Sequence, residues 1–356
     1  MSLRTLLLLA AAHLAQAGDF SHALFYKNVD SETARRVASI KGLAAAGNDG
    51  PLVNDQGFWF AHFAVGASPD LEMLVDTGSS DVILNPGSYK PSPESVDAKR
   101  TFRISYATTN PDGSGTLTTS GSVYRDVVTQ LSANLSVADQ TLGEARYPAS
   151  PPVFPHDGLI GYAGQDGSAL RGAPFIDSLC SGGALSSCRF GIALDANKTG
   201  ALYYGAVATH ALAGALTTVP IQREWVVVGA VTAGGRAVQS GASIVTDSGT
   251  TVIFGPTDQV GNLFRQAGIR AVQTSAGLTG HYNCSAPPAI GFSFGGKNFD
   301  LLPAALAFAK DGDDCTAAVH GSDAFGGRWL VGQAFFQGRY IDHNIADATM
   351  GFADLK

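Results

Sequence analysis

The sequence is poor in charged residues. Only 15% of its 356 residues are charged, and Asp and Glu together number 30 against 23 Lys and Arg. No segment is strongly basic, so nothing resembles the positive surface on which nucleic acids bind. Beyond the N-terminus no apolar run approaches the roughly 20 residues needed to span a bilayer. The composition therefore argues against a nucleic-acid-binding protein and against a membrane-spanning one.

Metal-binding residues are also scarce. The eight His are scattered without an HExxH motif, and the four Cys have the wrong spacing for zinc. We expect neither a metal nor another cofactor. An even number of Cys suggests disulfides, with three possible pairings. The local solution, Cys180 with Cys188 and Cys284 with Cys315, is favoured, and free buried thiols are the alternative.

What the chain has instead is 43 Gly, 16 Pro and 45% hydrophobic residues. This composition is typical of short strands joined by tight turns, so we expect an all-β protein. A strand is predicted between Gly57 and Gly66, followed by a turn at Ala67–Asp70 and a second strand at Leu71–Val75. The best candidates for helices are Leu170–Cys180 and Thr257–Ala267.

The N-terminus has the features of a secretory signal peptide in residues 1–17. Arg4 precedes an apolar stretch at Leu6–Ala12, and Ala15-Gln16-Ala17 offers a small-residue cleavage site. A membrane anchor is the alternative, but the apolar stretch is short for one. Residues 18–50 differ in composition from the remainder and are interpreted as a propeptide, or else as a flexible tail. The mature chain should then enter the secretory pathway without a membrane anchor.

Three sequons are consistent with that route. Asn134, Asn197 and Asn283 each begin an Asn-X-Ser/Thr sequence and are candidate glycosylation sites. Asn283 is the weakest candidate, because a cysteine that we expect to be disulfide-bonded follows it.

An internal repeat is the most informative feature. Asp76-Thr77-Gly78-Ser79-Ser80 has a counterpart 171 residues later in Asp247-Ser248-Gly249-Thr250-Thr251. Leu159-Ile160-Gly161 and Leu330-Val331-Gly332 are a second pair at the same offset. One copy of such an Asp-Gly turn would be weak evidence. Two copies, each with an apolar-apolar-Gly partner at the same offset, indicate two related halves that each contribute one aspartate.

Two aspartates close together can act as an acid-base pair. Two carboxylates a few ångströms apart cannot both ionise easily, so they share a proton. One oxygen can then act as a general base on water, while the protonated carboxyl acts as a general acid. Gly78 and Gly249 allow the turns to approach closely. The neighbouring hydroxyls can hold the carboxylates by hydrogen bonds.

These motifs resemble the pepsin family of aspartic peptidases, in particular its secreted fungal-type members, over residues 55 to 356. The resemblance implies a bilobal fold of two related β-barrel-like lobes with a cleft for a polypeptide substrate. A change in pattern near residue 218 suggests lobes at 51–218 and 219–356. By position, Asp76 and Asp247 would be the catalytic pair, and the chain would act as a monomer.

The same resemblance assigns roles to the residues around the pair. Thr77 and Ser248 would form the hydrogen bonds that join the two loops. Ser79 and Thr250 would support the carboxylates.

The family's flap hairpin resembles Phe102–Tyr106 and Gly121–Asp126, and Tyr106 would be the flap tyrosine. Its alternative is an ordinary strand tyrosine. The sequence departs from the family pattern in two places in this hairpin. Ala107 stands where the family commonly has Gly, and the tip at Thr108–Ser120 is longer than usual, so that Asp112 cannot be aligned with the family's flap aspartate with certainty. A third departure is Ile83, which replaces a hydrogen-bonding Trp. We expect Ile83 to change the flap position or the pocket beside the scissile bond, without abolishing activity.

Together these features predict a secreted aspartic endopeptidase that works at acidic pH, located outside the cell or in an acidic vacuole. A catalytically inactive pepsin-fold binding or inhibitor protein is the alternative, although both aspartates are present. A serine hydrolase is the other enzyme alternative, and it is disfavoured because no Gly-X-Ser-X-Gly nucleophile elbow is predicted.

Overall fold

The computed structural model of this chain describes residues 49–55, 58–107, 116–147, 156–196, 199–274 and 277–356. The predicted signal peptide, the predicted propeptide up to residue 48, and residues 108–115 at the flap tip lie outside these described residues. The described residues form 24 strands, four α-helices and three single-turn 3-10 helices. The expectation of an all-β protein is confirmed.

The first half of the chain contains ten strands and one helix. These elements are β1 (Asp49–Asp55), β2 (Phe58–Val65), β3 (Ser68–Asp76), β4 (Val82–Leu84), β5 (Val96–Ala107), β6 (Thr116–Gln130), β7 (Leu135–Tyr147), β8 (Gly158–Gly161), α1 (Phe175–Ser181), β9 (Arg189–Leu194) and β10 (Thr199–Tyr204).

The second half contains fourteen strands and three helices. These elements are β11 (Thr217–Arg223), β12 (Val226–Ala233), β13 (Arg236–Thr246), β14 (Ile253–Gly255), α2 (Thr257–Ala267), β15 (Arg270–Thr274), β16 (Gly277–Asn283), β17 (Ile290–Phe294), β18 (Lys297–Asp300), α3 (Pro303–Leu306), β19 (Ala307–Asp311), β20 (Asp314–Ala317), β21 (Val319–Gly321), β22 (Trp329–Val331), α4 (Gln333–Phe336), β23 (Arg339–Asn344) and β24 (Thr349–Asp354).

The two predicted helices are both present, with different accuracy. Helix α2 has the predicted bounds, because Pro256 precedes it and Gly268 ends it in the left-handed conformation. Helix α1 begins at Phe175, five residues later than predicted. Pro174 precedes it, and a proline disfavours helical backbone in the residue before it. The stretch upstream is held in another way, by the side chain of Asp81.

Two strands are longer than predicted. Strand β3 begins at Ser68, so most of the predicted turn at Ala67–Asp70 is already extended. Strand β6 begins at Thr116, which makes residues 116–120 part of the flap hairpin and not of its tip.

The 171-residue repeat is visible in the strand pairing. In the first half, β8 runs parallel to β3, with Asp76 beside Gly161, and antiparallel to β4. In the second half, β22 runs parallel to β13 and antiparallel to β14. Strands β4 and β14 begin at equivalent residues, Val82 and Ile253. In each half, the turn that carries the aspartate therefore connects two strands that both pair with the same third strand. That third strand is β8 in the first half and β22 in the second.

A central sheet joins the two halves. Its hydrogen-bonded order is β1-β10-β9-β23-β24-β11, and every neighbouring pair is antiparallel. Strands β23 and β24, from the end of the chain, thus join β9 and β10 of the first half in one sheet. The predicted boundary at residue 218 falls inside β11, which pairs with β24 and then with β12. Strand β1 begins at Asp49, two residues before the predicted start of the first lobe.

Aromatic and aliphatic side chains from both halves form one large buried cluster. Two disulfides, Cys180–Cys188 and Cys284–Cys315, close short loops at the rim of that cluster. They have the local pairing favoured by the sequence. In the described part of the chain, no helix is both long and apolar enough to cross a membrane.

Candidate active site

Asp76 and Asp247 lie face to face at the centre of the molecule, and both are fully buried. Asp76 is the last residue of β3, and Asp247 directly follows β13. A Cβ atom added to Gly78 would lie 2.6 Å from Asp247 Cγ, and one added to Gly249 would clash with Asp76 Oδ1. Each glycine therefore leaves room for the carboxylate of the other half.

The two carboxylates have matching hydrogen bonds. Gly78 N donates to Asp76 Oδ1, and Gly249 N donates to Asp247 Oδ1, both at 2.8 Å. The remaining oxygens accept from hydroxyls: Ser79 Oγ donates to Asp76 Oδ2, and Thr250 Oγ1 donates to Asp247 Oδ2. Each carboxylate is thus fixed by its own turn, and the inner oxygens of the pair face each other.

Reciprocal hydrogen bonds join the two turns. Thr77 N donates to Ser248 Oγ (3.0 Å), and Ser248 N donates to Thr77 Oγ1 (2.9 Å). Each hydroxyl then donates onward across the interface, Thr77 Oγ1 to Thr246 O (3.2 Å) and Ser248 Oγ to Val75 O (2.8 Å). The arrangement is close to two-fold symmetric, and it places Thr77 and Ser248 where the resemblance implied that they would join the loops.

The flanking strands β8 and β22 hold the turns from behind. Tyr162 N donates to Asp76 O (2.8 Å), and Asp247 N donates to Val331 O (3.0 Å). A Cβ on Gly161 or Gly332 would clash with the backbone of the turn in its own half. These contacts explain why the apolar-apolar-Gly segments occur at the same offset as the aspartates.

Burial raises the pKa of both carboxyls, and the nearby charge of Asp247 raises the pKa of Asp76 further. The bonds from Gly78, Ser79, Gly249 and Thr250 act in the opposite direction, because they stabilise the charged forms. Both carboxyls are therefore more easily protonated than an exposed aspartate, and Asp76 more so than Asp247.

The flap hairpin is formed by β5 and β6, with Tyr106 opposite Leu117. The ring of Tyr106 is fully buried. Burial, followed by the negative charges of Asp81 and Asp76, raises the pKa of its phenol. Tyr106 therefore lies within electrostatic reach of the first carboxylate. Residue 112 and the rest of the flap tip are outside the described residues.

Ile83 lies on β4 and is fully buried. It pairs with Gly143 on β7 and with Leu159 on β8. Ile83 Cδ1 and Phe102 Cε1 both lie within 3 Å of where a Cβ on Gly143 would be. The position is therefore apolar and tightly packed.

Sequence reasoning missed three residues next to the site. Asp81 is buried and accepts hydrogen bonds from Ser168 Oγ (2.6 Å) and Ala169 N (2.8 Å), which fixes the loop before α1. Trp225 Nε1 donates to the carbonyl oxygen of Tyr162, the residue after β8. Gln333, buried, donates through Nε2 to Ser248 O. Gln333 could have been found, because it follows the second apolar-apolar-Gly segment directly.

A Gly-X-Ser-X-Gly sequence occurs once near the second half's core, at residues 291–295, and does not form a serine nucleophile site. Ser293 lies within β17, and the hairpin that follows leads to β18. The elbow of serine hydrolases is instead a sharp turn from a strand into a helix. The geometry at Ser293 therefore gives no support to a serine hydrolase.

Two of the three candidate glycosylation sites lie in the described part of the chain, and both are exposed. Asn134 is exposed in the turn between β6 and β7. Asn283 is exposed at the end of β16, where its Oδ1 accepts hydrogen bonds from Ser285 N and Oγ. Asn197 lies outside the described residues.

Comparisons with known proteins agree with this geometry. The family model described as "Eukaryotic aspartyl protease" matches residues 58–355. The chain is 30% identical to an aspartic protease of Phaffia rhodozyma over 329 residues, covering 85% of this chain and 78% of that one. It is 27% identical to secreted aspartyl protease 1 of Malassezia globosa, covering 78% and 69%. Its fold is similar to the crystal structure of an aspartic proteinase from Irpex lacteus, with a TM-score of 0.73, 21% identity and coverage of 86% and 97%.

Proposed function

Because the chain belongs to the eukaryotic aspartyl protease family and is an aspartic-type peptidase of bilobal pepsin-like fold, we propose that it is a secreted endopeptidase that cleaves extended polypeptides at acidic pH. The reaction uses Asp76 and Asp247 and needs no cofactor. The observation that carries the proposal is the facing, buried carboxylate pair with matching hydrogen bonds.

Hydrolysis on this pair proceeds in two steps without a covalent intermediate. The ionised carboxylate takes a proton from water as the water oxygen bonds to the carbonyl carbon, while the protonated carboxyl gives its proton to the carbonyl oxygen. The tetrahedral diol then collapses. One hydroxyl proton returns to a carboxylate, the amide nitrogen gains a proton, and the C–N bond breaks. The products are a carboxylic acid and an amine, and the pair again holds one proton.

The remaining parts of the site serve this chemistry. The bonds between Thr77 and Ser248 keep the turns at a fixed separation. Tyr106, buried and close to Asp76, excludes water when the flap covers the peptide. A buried pair that shares one proton gives a bell-shaped activity profile, because activity falls when the pair gains a second proton and also when it loses the first.

Secretion is supported by three independent observations. Residues 1–17 have the composition of a signal peptide. Both disulfides are formed, which is typical of proteins folded in an oxidising compartment. One of the relatives reported above is named as secreted. An acidic vacuole fits the same observations, and localisation of a tagged chain would distinguish the two.

The decisive experiment is digestion of an unfolded protein between pH 2 and 7, after mass spectrometry shows that the segment before residue 49 has been removed. We compare the wild type with Asp76→Asn. Asp177→Asn is the matched control, because burial also raises the pKa of this carboxyl on α1, outside the pair. We expect acid-dependent cleavage that Asp76→Asn reduces by at least about 10³-fold and the control leaves intact. A wild type that cleaves at no pH would refute the proposal and favour a binding or inhibitor role.

The peptides released in that digestion also test the role of Ile83. With no indole donor at this buried position, we propose an altered pocket beside the scissile bond. Cleavage mainly between bulky apolar residues, as is usual in the family, would count against that.

A further inference from the structure

Behind the two carboxylates, one tryptophan forms hydrogen bonds to residues that support both catalytic loops. Trp225 Nε1 donates to Tyr162 O (2.9 Å), and Tyr162 N in turn donates to Asp76 O (2.8 Å). On its other side, Trp225 O accepts from Thr246 N (3.3 Å). Thr246 directly precedes Asp247. A continuous path of three hydrogen bonds therefore runs from the backbone of one aspartate to the residue before the other.

The indole at the centre of this path is held in place by its neighbours. Trp225 is only 4% exposed. Its ring contacts Phe190 at 5.6 Å and His343 at 4.8 Å between centroids, in both cases nearly perpendicular. Tyr162, the acceptor, is itself fixed through its hydroxyl, which lies 2.6 Å from the hydroxyl of Tyr204. Because the ring has little room to move, its N–H has a defined direction.

The path is present on one side only, although the two halves are related. Gln333 is the counterpart of Tyr162, 171 residues later. Its Nε2 donates to Ser248 O at 2.5 Å, so a side chain of the second half fastens the second loop. In contrast, Tyr162, whose N–H supports the first loop, is held by an indole from the second half of the chain. Beside the carboxylates, this connection between the halves is additional to the bonds of Thr77 and Ser248.

We propose that Trp225 is a positioning residue of the active site, which sets the separation of Asp76 and Asp247 through the carbonyl of Tyr162. This inference rests on the proposed two-aspartate mechanism. The proton shared by two carboxylates depends on their distance. If the Nε1 bond is lost, the first loop relaxes away from the second, and repulsion between the carboxylates weakens. The two macroscopic pKa values of the pair then move closer together.

The test is Trp225→Phe, which retains an aromatic ring and removes the N–H donor. Trp329→Phe is the matched control. Trp329 is also buried, and its Nε1 donates to Gln259 Oε1 (2.8 Å) on α2, not to either catalytic loop. We measure kcat and KM from pH 2 to 7 on a peptide taken from an observed cleavage site. Rates are expressed per active site, titrated with a tight-binding peptide that has a hydroxyl in place of the scissile carbonyl.

For Trp225→Phe we expect kcat to fall about 10- to 100-fold with KM changed less than about threefold, and a narrower bell-shaped pH profile. For Trp329→Phe we expect reduced thermal stability with kcat and profile as in the wild type. Equal kcat and equal profiles in the two variants would overturn the inference and assign Trp225 a packing role only.

If Trp225→Phe does not fold, 3-benzothienylalanine is placed at position 225, because it has the shape of tryptophan without the N–H, and the same expectations apply to it. A wild type that cleaves no substrate refutes the proposed function and this inference with it. An active wild type with an unchanged Trp225→Phe profile refutes this inference alone.

Discussion

Removing the hydroxyl of Ser248 should weaken both the fold and the catalysis. Ser248 Oγ accepts from Thr77 N (3.0 Å) and donates to Val75 O (2.8 Å), and all three residues are buried. In Ser248→Ala the Thr77 N–H loses the partner it has in this structure, which costs about 1–3 kcal/mol. The lost bond to Val75 O adds about 1 kcal/mol. The free energy of unfolding should therefore fall by about 2–4 kcal/mol.

Ser248→Thr is the matched control, because Thr is the residue at the equivalent position 77 and retains the hydroxyl. We expect it to retain both hydrogen bonds and a kcat near that of the wild type, while its added methyl group costs about 1–3 kcal/mol of stability. Both variants are compared with the wild type by urea unfolding, where a shift of the midpoint at constant slope reports stability. The same samples are assayed for kcat per titrated site.

The alanine variant should also be slower, because only the Thr77 hydroxyl then joins the turns. We expect kcat to fall about 10-fold or more, consistent with displacement of a reacting group by a fraction of an ångström. A stability loss below about 1 kcal/mol with unchanged kcat would show that these bonds do not set the geometry of the pair.

Two further predictions concern close packing and pH. Gly78→Ala should abolish cleavage, because its Cβ would lie 2.6 Å from Asp247 Cγ. In Gly214→Ala the added Cβ meets nothing within 4 Å, so this control variant should remain active in the same assay. An active Gly78→Ala would contradict the close approach of the two catalytic loops. Burial lowers the pKa of His343 to about 3, against about 6.5 in an unfolded chain. Below pH 6.5 the unfolded state therefore binds the extra proton, and the free energy of unfolding falls until about pH 3, by about 5 kcal/mol. His343→Phe should remove most of this difference when unfolding is measured at about pH 7 and about pH 3.5, while exposed His210→Ala should not; equal pH dependence in wild type and His343→Phe would show that this ring does not contribute.

Much of the site could be predicted, because its signals are local and repeated. The equal offsets of Asp76 and Asp247 and of Gly161 and Gly332 indicated that two related units carry one carboxylate each. The structure places the equivalent strands at the same offset. Helix α2 was also predicted to the residue, since Pro256 and Gly268 mark its ends in the sequence.

What could not be predicted depends on contacts between distant residues. The predicted start of α1 was wrong, because the side chain of Asp81, nearly 90 residues away, holds the loop that precedes the helix. The path through Trp225 joins residues 63 positions apart, and an isolated tryptophan beside a predicted strand indicates only a core position. The central sheet was likewise missed, since nothing in the composition of β23 indicates that it pairs with β9.

The central sheet determines the order in which parts of the chain can fold during synthesis. Strand β9 takes β23 as a neighbour, and the pair is pinned by Arg189 and Asp342, which are 153 residues apart. During synthesis the first half leaves the ribosome long before its partner exists, so one side of β9 presents unpaired backbone groups. Such distant pairings are slow to close, and exposed strand edges invite association between nascent chains. The chain therefore completes its fold only when its final strands arrive.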